Sequence, residues 1–235
     1  MAEAADHARL NQLVDELASD PGYASGARKF PRRVTNADAD AIAEALQHEI
    51  DRGVEARGAQ IEQQGLHLAC KRGCNGCCEE PIMVFRPESM RVVRWLEQPE
   101  NAEVRAAFRA QYPVWRDKVG SVPDKLSAKY AQEPLAYTEA HVAAWRMGVM
   151  CAFNRDGACM IYPVRPSNCR TAHALDTAEF CNGASDRPAA RVTFVPLEKF
   201  VTRSRQLLAA AHNAARGPKG RVEALCKIVY ESLAP

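Results

Sequence analysis

Apolar residues recur at helical spacing through most of the 235-residue chain. Leu10, Leu13, Val14 and Leu17 form one stripe that Asp20-Pro21-Gly22 stops. This predicts a short N-terminal helix, followed by a Gly-, Ser-, Pro- and Arg-rich connector over residues 21–33. Thr35 and Asp38 resemble a capping box with Val34 as the preceding staple residue, and the helix they open carries Ala39, Ile42, Ala43, Leu46 and Ile50 on its inward face. Gly53, Gly58 and Gly65 each weaken its continuation by ~1 kcal/mol relative to Ala, so the helix is expected to break before Cys70. Pro81 to Phe85 reads as extended, and Pro87 opens a helix that buries Val92, Val93 and Leu96. Val104, Phe108, Tyr112, Trp115 and Val119 share a stripe that Pro113 should kink or divide, with Trp115 in the core.

A helix over residues 138–148 places His141 and Trp145 one turn apart. Between Cys151 and Cys159, the run Asn154-Arg155-Asp156-Gly157 is a turn signal that predicts a small hairpin. Pro163 and Pro166 bracket Val164-Arg165, and the following residues open a helical turn that presents Cys169 and Arg170. Val192 to Val195 reads as a strand, followed by helices near 197–215 and 221–233. The last helix has Val222, Leu225, Ile228 and Val229 on its apolar stripe, with Cys226 there as a small buried hydrophobe. The expected fold is mainly α: a single domain with an irregular cysteine-rich metal-binding core and a small β-hairpin. Residues 1–33 form its N-terminal helix and connector, residues 34–235 the cysteine-cluster domain, and residues 66–182 its motif region.

Composition narrows the functional classes. A chain of this length buries a core without disulfide help, so the nine cysteines are not there to rescue a small fold. No apolar run approaches the roughly 18 residues of a membrane span, and Met1-Ala-Glu-Ala-Ala-Asp lacks the start of a signal peptide. The expected location is therefore the reducing cytoplasm, where dense cysteines indicate metal binding or catalysis rather than disulfides. A net charge of +2 is too small for a nucleic-acid binder, and the basic knot Arg28-Lys29 with Arg32-Arg33 reads as a solvated loop. Neither nucleic acid nor membrane is expected as a partner. A substrate is expected, with a protein among the candidates.

Eight of the nine cysteines fall in two clusters: Cys70, Cys74, Cys77 and Cys78, then Cys151, Cys159, Cys169 and Cys181. Thiolate is the soft ligand of zinc, copper(I) and iron–sulfur clusters, which favour four-sulfur sites. Eight thiols equal two such sites, or one cluster with spare cysteines acting catalytically. Consecutive side chains on an extended backbone point apart, so Cys77 and Cys78 should serve two metals or one polynuclear cluster. Gly73 and Gly76 fit a loop wrapping the centre. Such a site is net negative. Lys71, Arg72, Arg165 and Arg170 adjoin the thiols as compensating cations, Arg165 and Arg170 being candidates for cofactor contact. Tyr162 is either a packed aromatic or a contact of substrate or cluster. His67 and His173 have ligand-compatible spacing from Cys70 and Cys169, although supporting roles fit better where sulfur is already sufficient.

Cys70-x3-Cys74-x2-Cys77-Cys78, followed by Cys151-x7-Cys159-x-Ile161-Tyr162-x2-Arg165-Pro166-x2-Cys169-Arg170, resembles the bacterial YkgJ-type cysteine-cluster family of zinc- or iron-chelating domains. Ala152 stands where a proline often follows the cysteine in that family. The resemblance implies a cysteine-rich metal or iron–sulfur centre. The flagellin lysine methylase looks like a relative with the same pattern, which puts a protein-modifying enzyme within range. The first expectation is accordingly a protein that binds iron or an iron–sulfur cluster, with a redox or substrate-modifying role. The alternatives are a structural zinc module acting in protein interaction and a metal-free thiol redox protein. Cys70-x3-Cys74-x2-Cys77 also repeats the ligand spacing of radical S-adenosylmethionine enzymes. The chain has too few strand signals for their barrel, so S-adenosylmethionine at an open iron is a minor expectation.

Overall fold

The computed structural model describes residues 36–71, 73–130, 134–191, 208 and 222–233. The expected N-terminal helix, the capping box at Thr35, Arg72 and the strand and helix expected over 192–215 lie outside these residues, except for the buried Leu208. The fold is mainly α. Helix α1 (Asn36–Gln63) passes through Gly53 and Gly58 and ends ahead of the first cluster, where Gly65 at φ +74° turns the chain. Ala43, Leu46 and Ile50 on its inward face are fully buried.

After the first cluster comes β1 (Met83–Val84), then α2 (Arg86–Glu97) with proline in its first turn. Helix α3 (Ala102–Val119) is continuous, contrary to the division expected at Pro113. The proline is exposed, on a side of the helix where water can hydrate a carbonyl that loses its intrahelical donor. Two further helices follow, α4 (Val122–Tyr130) and α5 (Pro134–Trp145), the latter starting and ending earlier than its sequence pattern indicates.

The expected hairpin is present. Strands β2 (Asn154–Arg155) and β3 (Ala158–Cys159) pair with Asn154 opposite Cys159. Asp156 and Gly157 both have positive φ, as the mirror-image turns that match strand twist require. Helix α6 (Ser167–Thr171) presents Cys169 and Arg170 as anticipated. The chain's last described segment is β4 (Glu223–Ala224), antiparallel to β1, running into α7 (Leu225–Ser232).

The main core joins α2, α3 and α7 to the segment between Ala152 and Val164. Phe153 stacks on Phe108 with ring centroids 3.9 Å apart, and Tyr112 stacks on Tyr230 at the same separation. The Phe153 stack fixes the hairpin, and with it Cys151 and Cys159, against the helical body. A second cluster around Met83, Leu126, Ala144 and Ala224 continues this core, and Trp115 packs against both.

Candidate metal centre

Main-chain hydrogen bonds bring the two cysteine segments together. Ala69 N donates to Ala174 O at 2.8 Å, and Cys151 N donates to Cys78 O at 2.8 Å. Cys77 and Cys78 lie in a 3-10 turn, Gly76–Glu79, and not on the extended backbone expected. At three residues per turn, neighbouring side chains still diverge, so the two thiols are aimed apart. This turn meets a second one, Ala178–Cys181. A Cβ on Gly76 would lie 2.7 Å from Ala178 O and 3.0 Å from the Cys181 Cβ, which is why glycine stands there. Glu79 Oε2 accepts from Gly183 N at 2.8 Å and ties the same two turns.

The thiols divide by the charges they feel. Burial raises the Cys77 pKa to about 12, with Cys78, Glu80, Cys70 and Cys181 adding repulsion. Burial also raises Cys70 and Cys181, with Cys74 adding repulsion at Cys70 and both Cys70 and Cys74 adding it at Cys181. Cys78 is pushed to about 12 by burial and then chiefly by Cys151, with Cys159 and Cys74 adding to it. Burial raises Cys159 to about 11, with Cys151 next in effect. Cys169 rises well above the usual thiol range through burial, then Cys151, Cys77, Cys159 and Cys78. Repulsion thus runs among Cys70, Cys74, Cys77 and Cys181 and among Cys78, Cys151, Cys159 and Cys169, and it also crosses between the sets at Cys77 and Cys78, Cys74 and Cys78, and Cys77 and Cys169.

Several N–H groups face sulfur. Ala174 N donates to Cys70 Sγ at 3.2 Å and Phe153 N to Cys151 Sγ at 3.5 Å. The main chain of Ile161 and the side chain of Asn154 favour the ionised forms of Cys159 and Cys78. These contacts stabilise negative sulfur, the state a metal ligand needs. Among the described residues, no three His, Cys, Asp or Glu side chains converge closely enough for one metal ion. Sulfur donors in this number, with N–H groups turned towards them, fit a soft metal or an iron–sulfur cluster.

The cations lie close by but are engaged. Arg165 lies over the Tyr162 ring, 4.1 Å from its centroid, and its charge favours ionisation of Cys70 and Cys159. Arg170 is buried, donates to Arg165 O at 2.7 Å and to Pro163 O at 2.6 Å, and pairs with Asp51 of α1. Lys71 and His67 are exposed. His173 is buried with Nε2 2.8 Å from Arg170 O.

Four contributors escaped the sequence reading. Arg191, paired with Glu80 at 3.0 Å, favours ionisation of Cys70 and Cys181. Asn154 was visible only as a turn former. Glu88 accepts from Ser167 N at 2.9 Å and Ser167 Oγ at 2.7 Å, holding the start of α6. Cys226 lies in the apolar core as expected, yet its Sγ is 3.5 Å from Cys151 Sγ. No local sequence signal pointed to that contact. A pocket with about 500 Å³ of empty volume, partly open to solvent, has Cys78, Cys151 and Cys226 in its otherwise mostly apolar wall.

A helical scaffold that draws eight thiols from two distant segments together belongs to the class of metal-binding cysteine proteins. More particularly, residues 69–186 match a family profile, and the chain belongs to that family, "CxxCxxCC: Putative zinc- or iron-chelating domain". In this chain three residues separate the first two thiols where the family's name has two, and Gly73 at φ +90° turns that longer loop. Comparisons with curated proteins and with solved structures found no match. No described helix is long and apolar enough to cross a membrane. Nothing observed supports S-adenosylmethionine at the site.

Proposed function

We propose that the chain carries an iron–sulfur centre on two thiol quartets, Cys70/Cys74/Cys77/Cys181 and Cys78/Cys151/Cys159/Cys169, and serves a redox or substrate-modifying reaction. The observation that carries this reading is the match of residues 69–186 to a zinc- or iron-chelating family, together with main-chain bonds that join the two cysteine segments and buried or half-buried thiols that repel one another across them. Iron–sulfur clusters take four thiolates each. When bound, the centre would supply one-electron chemistry. The chain's own part is to hold the thiols in place, direct the main-chain N–H groups of Ala174, Phe153 and Ile161 at sulfur, and keep Arg165 and Arg191 near the negative charge. Because burial holds most of these thiols protonated at neutral pH, metal uptake displaces protons.

Zinc is the second reading, favoured by the same count of four donors per group. Oxygen-free purification followed by iron, sulfide and zinc analysis and Mössbauer spectroscopy separates the two. Brown protein containing iron and acid-labile sulfide supports the first. Colourless protein with about two zinc ions per chain replaces it with the second.

A further inference from the structure

Of the nine cysteines, Cys226 alone belongs to neither quartet, and it touches a member of one. Its Sγ lies 3.5 Å from Cys151 Sγ, both thiols are free, and both line the apolar pocket. A disulfide needs a separation of about 2.05 Å, so the sulfurs must approach by about 1.5 Å. Helix α7, which carries Cys226, is held in place. Leu225 N donates to Ile82 O at 2.9 Å, and Ile228 and Val229 are fully buried. Buried thiols are ordinarily inert because reagents do not reach them. Here the pocket opens to solvent. Ile82, Trp115, Leu126 and Met147 in its wall favour a small uncharged reagent over a charged one.

We propose that Cys151 and Cys226 form a redox-active dithiol that closes into a disulfide when a small peroxide enters the apolar pocket. One thiol gives up its proton as its sulfur attacks a peroxide oxygen. An S–O bond forms, the O–O bond breaks, and the departing hydroxide takes up a proton to become water. The second sulfur then attacks the sulfenic sulfur, the S–S bond forms, and the S–O oxygen leaves as a second water. The two thiols lose two electrons and two protons, and the peroxide is reduced. One consequence rests on the quartet reading above: the bond withdraws Cys151 from the second quartet, leaving three thiols there and four in the first. Oxidation then releases metal from one quartet and spares the other.

The test uses the full chain, metal-loaded and metal-stripped, treated with hydrogen peroxide and digested with trypsin without reduction. Cys151 falls in peptide Met147–Arg155 and Cys226 in Val222–Lys227, each peptide with a single cysteine. Mass spectrometry should find these two joined as the main linked pair, with two thiols lost from the titration. Cys226→Ser should abolish that species and keep the metal content of the unsubstituted chain. The proposal is overturned if Met147–Arg155 links to another cysteine peptide while Val222–Lys227 stays reduced. It is also overturned if Cys226→Ser loses as much metal as Cys151→Ser, which would make Cys226 a ligand. If the linked pair forms without any loss of metal, the dithiol stands and Cys151 leaves the ligand set instead.

Discussion

At the scale of single residues, the thiol neighbourhoods depend on positions with no room for a side chain. A Cβ on Gly183 would lie 2.1 Å from Trp145 O, and one on Gly76 would press on Ala178 O. Gly76→Ala should therefore cost about 1–3 kcal/mol, and Gly183→Ala more, with the melting temperature and metal content of each variant falling together. Gly76 was readable as part of a wrapping loop, but its actual reason, the second turn packed against it, is invisible along the chain. His173 supplies a pH dependence. Burial lowers its pKa below the usual 6.5, so the folded chain holds a neutral imidazole and the unfolded chain binds the proton more readily. Its contribution to stability is complete above pH 6.5 and is lost as the pH falls through the lowered folded value. Thermal denaturation against pH should show that loss in the parent chain and a flatter profile in His173→Gln.

Among the elements, α6 shows how a short segment is held. Five residues are too few for a helix to persist alone. Glu88 takes both donors of Ser167, Asn168 Nδ2 donates to Met83 O at 2.9 Å, and Arg170 pairs with Asp51. Glu88→Ala leaves two buried donors without their acceptor and should destabilise the chain by about 1–3 kcal/mol. Because Cys169 sits on α6, metal content should fall in step, which denaturation and elemental analysis on one preparation would check. The hairpin and α2 were legible because turn residues and proline act locally. Pro113 was misleading because a proline's cost depends on which side of the helix meets water. The short pairing of β1 with β4 joins residues about 140 positions apart, and no local signal announces it.

For the whole molecule, the proposed division of the thiols makes a sharp prediction. Cys181→Ser and Cys159→Ser strike different quartets, so each should lower metal content by about half, and the double variant should lose nearly all. Elemental analysis of the three variants checks it, and a complete loss from either single variant would mean one shared centre. What the sequence by itself determined is the helical class, the hairpin and the family, because hydrophobic period, turn chemistry and cysteine spacing are properties of neighbouring residues. Tertiary structure alone decided that the two cysteine segments meet, that Arg170 spends its donors on Asp51 and two carbonyls, and that Cys226 meets Cys151. Those are contacts between residues far apart in the chain, and they come into being only when the apolar core closes and draws the two cysteine segments together.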